Sequence, residues 1–413
     1  MTPSGVARPL EGIRVLDLSR VLAGPMAAQT LADLGAEVIK IERPVAGDDT
    51  RLMGPHFPKG EEGELVDRSA YYWAVNRGKD SVAIDLAHSD GADLVRGLAA
   101  KADVLVENFK VGALERYGLG YAALAAINPH LVYCSITGFG QTGPYKARAG
   151  YDSIIQAMGG LMSVTGEPDG SPGGGPQRAG VPMIDIMTGL YASTAILAAL
   201  RHRDRAGVGQ HIDLALLDVM VSALSYFGVS HLASGNLPTR TGTRNAVTHP
   251  SGIYACRDGE IMIIAGNDGQ FRAICAVLGV PDLVRDTRFA SSPERVVNGR
   301  ALDDLIAPKM AARTMADCLA AFEKAGIPAG PINNLDSVFA DPQVRARGAT
   351  VSFDHPDLGA IACIASPMRL SVTPVTYDHR PAMLGEHTHR TLRDVLGLSD
   401  EAIDALQAKG AIG

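Results

Sequence analysis

The fold is decided by two apolar segments near the start of the chain, Ile13-Arg14-Val15-Leu16-Asp17-Leu18 and Glu37-Val38-Ile39-Lys40-Ile41. Each has the length and composition of a buried strand. Between them, Pro25 suits the first turn of a helix and Gly35 suits its end. A strand, a helix and a second strand within about 30 residues form a βαβ unit, in which the two strands are parallel.

The same alternation continues along the first third of the chain. Further strands are predicted at 81–86, 103–106 and 131–136, with helical segments between them. Strands that alternate with helices are typical of a parallel sheet covered by helices on both faces. We therefore predict an α/β fold with a doubly wound parallel sheet.

The remainder of the chain changes character. A long, nearly all-apolar helix is predicted from Asp185 to about Arg203, and a hairpin is predicted at 253–264 with Asp258-Gly259 in its turn. The pattern predicts a large domain at 1–215, a linker helix at 216–235, a small α+β domain at 236–330, and a C-terminal segment at 331–413 that returns to the large domain.

Charge and cysteine content narrow the classes of function. The 413 residues include 38 basic and 45 acidic side chains, a net charge of -7, which argues against a general nucleic-acid binder. The 5 cysteines are widely spaced and form no C-x-x-C pair, so neither a disulfide framework nor a zinc site is expected. A reducing, cytoplasmic setting fits this pattern.

Targeting and membrane segments are not indicated either. Met1-Thr2-Pro3-Ser4-Gly5 has no basic segment followed by an apolar core, so no secretory signal is expected. The longest apolar stretch, residues 186–200, is shorter than the roughly 20 residues that span a bilayer. We expect a soluble protein without a membrane partner.

A glycine motif raises the possibility of a dinucleotide site. Gly138-Phe139-Gly140-Gln141-Thr142-Gly143 matches G-x-G-x-x-G after a strand, but Pro144 follows directly and no amphipathic helix opens there. The pattern favours a glycine turn whose backbone amides could line a site. After the second strand, Arg43 could hold a phosphate or form a solvated ion pair with Glu42, and the residues alone leave both interpretations open.

One carboxylate stands out from its surroundings. Asp185 is the lone charged residue between Arg178 and Arg201. A buried carboxylate is costly unless it is hydrogen-bonded or functional. Asp185 could cap the apolar helix that follows it, or it could be a nucleophile whose ionised form the helix N-terminus stabilises. The two interpretations are compatible.

Several ordered motifs resemble the class III CoA-transferases, the CaiB/BaiF family. The similarity runs from about residue 8 to 408 at the family's spacing. The motifs are Pro9-Leu10-Glu11-Gly12-Ile13-Arg14-Val15-Leu16-Asp17, Ala23-Gly24-Pro25, Ile39-Lys40-Ile41-Glu42-Arg43-Pro44, Asn76-Arg77-Gly78-Lys79, Val106-Glu107-Asn108-Phe109, the glycine turn with Pro144, and Leu384-Gly385-Glu386-His387-Thr388.

The resemblance implies an architecture and a chemistry. It implies a large Rossmann-like, CoA-binding domain made from both ends of the chain, a small middle domain, and an interlocked homodimer. Asp185 matches the family's nucleophile, which attacks an acyl-CoA thioester and passes through an aspartyl anhydride and an aspartyl-CoA thioester. Coenzyme A is then a substrate, and neither a prosthetic group nor a metal is expected.

The resemblance also assigns contacts to bound CoA. These are Leu22, Ala23, Arg43, Asn108, Phe109 and Arg116. The alternatives from the residues alone are a core aromatic for Phe109 and a solvated helix-end charge for Arg116. In the acyl pocket we expect Tyr151, and we expect the backbone amides of Gly138 and Gly140 to stabilise an oxyanion.

Two features bear on the reaction and its substrate. The family's racemase branch has a histidine where this chain has Tyr151, and tyrosine is a poor base near neutrality, so CoA transfer is favoured over racemisation of a 2-methylacyl-CoA. A non-catalytic acyl-CoA binder is a further alternative.

Gly47-Asp48-Asp49-Thr50-Arg51 resembles the subgroup that moves CoA between dicarboxylic acids. Arg51 or Arg244 could bind a distal carboxylate, or both could be solvated surface residues.

Overall fold

The structure, a computed structural model, describes residues 6–54 and 69–413. The expectation about residues 1–5 therefore lies outside the described residues. The strands are β1 (Arg14–Asp17), β2 (Glu37–Glu42), β3 (Lys79–Ala83), β4 (Val104–Glu107), β5 (Val132–Thr137), β6 (His211–Ala215), β7 (Ser251–Cys256), β8 (Gly259–Ile264), β9 (Ala329–Pro331), β10 (Thr350–His355) and β11 (Gly359–Ile364).

The helices alternate with these strands through the first half of the chain and dominate the second. They are α1 (Ala23–Asp33), α2 (Ala70–Val75), α3 (Ser89–Ala99), α4 (Tyr121–Ile127), α5 (Asp152–Met158), α6 (Leu161–Val164), α7 (Met183–Ala206), α8 (Leu216–Ala223), α9 (Ser225–Ser234), α10 (Asp268–Leu278), α11 (Ser292–Val297), α12 (Gly299–Ala311), α13 (Met315–Lys324), α14 (Leu335–Ala340), α15 (Pro342–Ala346), α16 (Thr388–Leu396) and α17 (Asp400–Ala408).

The chain divides into two compact units. The first contains Met1–Gly159, Gly180–Gly228 and Arg345–Gly413, and the second contains Gly160–Ala179 and Val229–Val344. Compared with the predicted small domain at 236–330, the second unit also takes in residues 160–179, 229–235 and 331–344. The assignment of these units as domains stays a prediction.

A parallel sheet forms the centre of the first unit. Among the described residues it has six strands in the order β3-β2-β1-β4-β5-β6, and each neighbouring pair is parallel. This order is typical of doubly wound nucleotide-binding folds, which bind ligands at the carboxyl ends of the strands where the order reverses. The predicted α/β class and parallel sheet are confirmed. The switch point lies between β1 and β4, so the loops after these strands are where a ligand site is expected.

Apolar strands and a close helix pair build the core of the first unit. Val15, Ile39 and Leu105 are buried in the sheet. Helices α1 and α7 pack so closely that a Cβ atom added to Gly189 would lie 2.8 Å from the carbonyl oxygen of Ala23. Glycine at position 189 therefore lets the first part of α7 approach the start of α1.

Two predicted elements differ from the structure in their bounds. Strand β3 covers Lys79–Ala83 rather than 81–86, because the buried Lys79 ammonium pairs with Asp17 and so is accommodated inside the sheet. Helix α7 has 24 residues, more than the apolar stretch predicted for it. By length and composition it is the one helix of the described residues that could cross a membrane, and the bent pair α8–α9 would also pass if it formed one span. Core helices of soluble proteins pass the same test.

The second unit has its own sheet and core. The predicted hairpin is confirmed, since β7 and β8 are antiparallel with Cys256 opposite Gly259. Strand β9, which is too short to be recognised from its sequence, adds to the other edge of β8. Residues such as Ile261, Phe271 and Phe322 are buried together beneath the sheet.

Candidate active site

The N-terminus of α7 presents Asp185 and is capped by a different aspartate. Asp185 is the third residue of the helix, after Met183 and Ile184. The carboxylate of Asp152, at the start of α5, accepts hydrogen bonds from the backbone N–H groups of Ile184 at 2.7 Å and Asp185 at 3.2 Å. The interpretation of Asp185 as the cap of its helix is therefore wrong, because Asp152 has that role and leaves the Asp185 side chain available.

The surroundings of Asp185 make it unusually basic. Burial, and then the negative charge of Asp152, raise the pKa of Asp185 to about 7. No donor or cation from the described part of the chain pairs with its carboxylate. The pKa of Asp185 thus lies close to neutral pH, where its ionised form can act as a nucleophile.

A cavity of about 220 Å³ lies in front of Asp185. It is lined by the loop after β1, the turn after β4 and the segment after β5. Six further predicted site residues lie together in its wall: Leu22, Ala23, Asn108, Phe109, Gly138 and Tyr151. The carboxyl ends of neighbouring parallel strands thus bring together residues that are distant in sequence.

The glycine turn after β5 approaches the segment that carries Tyr151. A Cβ atom added to Gly138 would lie 2.7 Å from the Cα atom of Gly150, so both positions need glycine for this approach. Gly140 does not line this cavity. Its backbone N–H donates instead to the hydroxyl of Thr137 at 2.9 Å. No helix opens after Gly143, because the next helix begins at Asp152. The geometry of a dinucleotide fingerprint is therefore missing here.

The loop after β1 is held by side chains from the segments that follow β4 and β2. The Asn108 amide accepts a hydrogen bond from the N–H of Arg20 at 2.9 Å and donates to its carbonyl at 2.7 Å. Val21 has a φ of +69°, a strained conformation for a β-branched residue, and its N–H donates to Asp48 at 3.3 Å. Asn108 therefore shapes the cavity wall through the backbone of the loop.

A buried cluster of charges supports the loop from below. The Lys40 ammonium donates to the carbonyl of Ser19 at 2.8 Å and pairs with Asp48 at 3.0 Å. Burial opposes ionisation of Asp48, but the charge of Lys40 and the hydrogen bonds from Thr50 and Lys40 together outweigh it, and the pKa of Asp48 falls to about 2. The Lys79 ammonium pairs with Asp17 at 2.8 Å, and burial lowers the pKa of Lys79 to about 8. Sequence analysis missed this cluster, although a lysine inside the apolar segment of β2 could have indicated it.

Another residue that sequence analysis missed lies near the candidate nucleophile. Burial, and then the negative charge of Asp185, raise the pKa of Tyr71 to about 12. The Tyr71 phenol in α2 therefore stays protonated at neutral pH and can act as a hydrogen-bond donor.

A second cavity of about 370 Å³ brings together the predicted nucleotide contacts. Arg43, Arg116 and Phe109 lie in its wall, and it shares Arg20, Phe109 and Lys110 with the cavity at Asp185. The Arg43 guanidinium pairs with Asp49 at 2.5 Å, and its side chain is 52% exposed. The two cavities thus meet at a common wall, and basic side chains line both of them.

Arg51 is not available to bind a substrate. Its guanidinium forms two hydrogen bonds to Glu42, at 2.7 and 2.8 Å, and a third to the hydroxyl of Tyr72 at 2.6 Å. The residue is only 5% exposed. The structure therefore contradicts both interpretations of Arg51, as a binder of a distal carboxylate and as a solvated surface charge. It also corrects the pairing of Glu42, whose partner is Arg51 and not Arg43.

Arg244 lies in the second unit. Its guanidinium is 4.0 Å from the carboxylate of Asp303, which also bonds to His249 and Tyr254. No group of three or more His, Cys, Asp or Glu side chains that could hold a metal ion occurs within residues 6–54 and 69–413.

Comparisons with known proteins agree on one family. A family model described as "CoA-transferase family III" matches residues 10–388. The chain is 47% identical over 387 residues to the succinate–glutarate CoA-transferase of Agrobacterium fabrum, covering 94% of this chain and 96% of that protein. It is 41% identical over 405 residues to the human succinyl-CoA:glutarate CoA-transferase, covering 98% and 90%. The crystal structure of a CaiB/BaiF family protein from Brucella suis matches with a TM-score of 0.83 and 46% identity, covering 94% and 100%.

Proposed function

The chain belongs to CoA-transferase family III, as its motifs predict, and we propose that it moves CoA from succinyl-CoA to a second dicarboxylic acid such as glutarate. The relatives named for this reaction support the substrate pair. As a CoA-transferase, the protein takes an acyl-CoA thioester as substrate and needs no prosthetic group. The observation that carries the proposal is the Asp185 carboxylate in the wall of the cavity at the switch point, which has no cation or donor as partner within residues 6–54 and 69–413 and whose pKa is raised to about 7.

The first half of the reaction frees the donor acid. One oxygen of the Asp185 carboxylate attacks the thioester carbonyl of succinyl-CoA, the carbon–sulfur bond breaks, and CoA leaves as the thiolate. This leaves a mixed anhydride between succinate and Asp185. The thiolate then attacks the Asp185 carbonyl of that anhydride, succinate leaves as the carboxylate, and the CoA is held as a thioester on Asp185.

The second half repeats these steps with the acceptor acid. A glutarate carboxylate attacks the aspartyl thioester, and the thiolate leaves again. The thiolate then attacks the glutaryl carbonyl of the new anhydride, which forms glutaryl-CoA and returns Asp185 to its carboxylate. At every stage one carboxyl group, of succinate, of Asp185 or of glutarate, is activated as an anhydride or thioester, so no ATP is required and no proton is gained or lost overall.

The cavity walls suit the two parts of the substrate. Each tetrahedral intermediate needs a donor for its oxyanion, and of the two glycines predicted for this role Gly138 is the one in the cavity wall. We assign the phosphates and nucleotide of CoA to the second cavity, where Arg43 and Arg116 supply positive charge. Phe109 lies in the shared wall, where the pantetheine arm would pass.

We also propose the assembly that the resemblance implies. The first unit would be the CoA-binding domain, built from both chain ends, and two copies of the chain would interlock as a homodimer in the cytoplasm. Exposed apolar side chains on α5, α7 and α8, three helices that contact one another, support this proposal, since exposed apolar side chains that cluster usually mark an interface. They include Ile154, Met158, Leu190, Tyr191 and Val221, which are 44–55% exposed.

A panel of acyl-CoA donors and carboxylic acid acceptors, followed by mass spectrometry, tests the function. We expect glutaryl-CoA from succinyl-CoA and glutarate, a covalent adduct on the peptide containing Asp185, and no turnover in Asp185→Asn. Asp204→Asn, at the exposed end of the same helix, is the matched control and should keep full activity. Exchange of the α-proton of a 2-methylacyl-CoA without any CoA transfer would instead identify a racemase. CoA binding without either reaction would identify a non-catalytic binder.

A further inference from the structure

Asp49 joins two arginines that come from different strand ends. Its Oδ1 accepts a hydrogen bond from Arg43, which follows β2, at 2.5 Å. Its Oδ2 accepts a hydrogen bond from Arg20, which follows β1, at 3.3 Å. One carboxylate of the first unit thus forms ion pairs with two guanidinium groups.

These three side chains lie where the two cavities meet. Arg20 lines both cavities, Asp49 lines the one at Asp185, and Arg43 lines the second. Their side chains are 35%, 41% and 52% exposed. A ligand that extends across both cavities can therefore reach all three side chains. Ion pairs with this exposure contribute little to stability, so separating them requires little free energy.

The other acidic side chains near these arginines form buried ion pairs with different cations. Asp48 is buried against Lys40, and Glu42 is buried against Arg51. Asp49 is therefore the acid of this group that can move away without leaving a buried charge unpaired.

The arginines also have contacts that do not depend on Asp49. The Arg20 guanidinium lies 5.1 Å from the centroid of the Phe109 ring, and Arg43 donates to the carbonyl of Gly47 at 3.4 Å. Both cations should therefore stay near the cavities when Asp49 leaves. A guanidinium binds phosphate oxygens with the same donor geometry that it uses for a carboxylate.

We propose that Asp49 occupies, in the free protein, the position between Arg20 and Arg43 that a phosphate group of the CoA substrate takes when it binds. Asp49 is then an internal competitor that weakens CoA binding and speeds CoA release. This inference rests on the proposed function, because CoA is the ligand.

If Asp49 competes with the phosphate, removing its charge should increase the affinity for CoA. Removing a charged residue from a binding site usually weakens binding, but removing a competing anion strengthens it. Asp49→Asn should therefore lower the Kd for CoA about two- to tenfold, the size expected for one partly exposed charge. Asp49→Glu keeps the negative charge and should not tighten binding.

Isothermal titration with CoA and with pantetheine, which has no phosphate, tests the proposal at low and high salt. For Asp49→Asn we expect tighter CoA binding that weakens towards the wild-type value at high salt, a slower CoA dissociation rate, and no change for pantetheine. Asp93→Asn is the matched control, since Asp93 is an exposed aspartate paired with Arg96 on α3, outside both cavities. It removes the same charge and should leave the Kd unchanged.

The outcomes separate this inference from the proposed function. Unchanged or weaker CoA binding by a folded Asp49→Asn protein would overturn the inference and would mean that Asp49 positions the arginines. Thermal unfolding of each variant checks that it is folded. A wild-type protein that neither binds CoA nor transfers it would instead overturn the proposed function.

Discussion

The carboxylate of Asp152 accepts a hydrogen bond from the backbone N–H of Asp185, with 3.2 Å between Oδ2 and N. One aspartate thus caps the helix on which the other is displayed. The same closeness raises the pKa of Asp185, after the larger effect of its burial. The capping interaction and the reactivity of the candidate nucleophile are therefore coupled.

Replacing Asp152 with asparagine should separate the cap from the charge. The amide oxygen of the new side chain can still accept from the helix N-terminus, but the negative charge next to Asp185 is gone. We expect the pKa of Asp185 to fall, so that the acidic limb of the pH profile of kcat moves to lower pH. An unchanged limb in a folded Asp152→Asn protein would show that burial alone sets this pKa.

Asp152→Ala provides the comparison, because it removes both the charge and the cap. It should shift the acidic limb in the same direction and also lower the free energy of unfolding by about 1 kcal/mol. Urea unfolding of the two variants measures the difference between them.

The activity itself should depend on the ionisation of Asp185. Because the carboxylate must be ionised to attack, kcat/KM is expected to fall about tenfold per pH unit below pH 7, where the pKa lies. Rates measured between about pH 5 and 9 with a stable acyl-CoA test this. A profile that is flat across the acidic half of this range would contradict the raised pKa.

Asp185 should also lower stability at high pH. Its pKa is about 7 in the folded protein against the usual aspartate value of 3.8, so the unfolded chain loses this proton first and stability falls as pH rises from about 4 to 7. Asp185→Asn removes this penalty. We expect a gain of ~1 to 3 kcal/mol in the free energy of unfolding at about pH 8 that disappears near pH 4.

Urea unfolding at several pH values measures this gain. Asp204→Asn, which lies at the exposed end of α7, should show no comparable dependence on pH. Equal stability of Asp185→Asn and wild type above neutral pH would mean that the ionised carboxylate is not penalised in the fold.

The buried lysine below the loop should matter for both stability and substrate binding. Lys40→Met leaves Asp48 buried without its partner and should lower the free energy of unfolding by about 3 to 5 kcal/mol. The double variant Lys40→Met/Asp48→Asn removes both charges and should recover part of this loss. It should still have a raised KM for acyl-CoA, because nothing then bonds to the carbonyl of Ser19.

Urea unfolding and steady-state kinetics of the three proteins test this prediction. A double variant with the wild-type KM would show that the Ser19 contact does not position the loop. A single variant as stable as wild type would show that the ion pair contributes nothing.

The strained residue in the loop offers a test of local conformation. Val21 has a φ of +69°, and relieving this strain with glycine should outweigh the loss of chain entropy, for a net gain of about 0.5 to 1 kcal/mol. Val45 has a φ of +67° and is 97% exposed, so Val45→Gly should give a similar gain. Only Val21→Gly should alter the KM for acyl-CoA, since Val21 lines the cavity and Val45 does not. A KM that changes equally in both variants would contradict this.

Patterns local in sequence predicted much of the fold. The apolar segments that became β1 and β2 are buried strands because each contains enough apolar surface to lie inside a sheet. The ordered motifs identified the family, and the isolation of Asp185 among apolar residues identified it as the candidate nucleophile. Each of these inferences needs only a short stretch of chain, or several stretches in order.

Pairings between distant residues were beyond the sequence. Glu42 could have paired with the adjacent Arg43, and only the fold shows that it turns inward to Arg51. In the same way Asp152 caps a helix whose first residue, Met183, lies far along the chain from it.

The sequence by itself determined the alternation of strands and helices in the first third of the chain, the family and the identity of the candidate reactive carboxylate, because apolar periodicity and motif order are properties of the linear chain. The tertiary structure decided which charges neutralise each other and which stay free. Those pairings depend on strand order: β1, β2 and β3 are adjacent in the sheet, which places Asp17, Lys40 and Lys79 together under one loop. No local pattern contains that adjacency, and so the availability of Asp185 and the confinement of Arg51 became evident only in the folded protein.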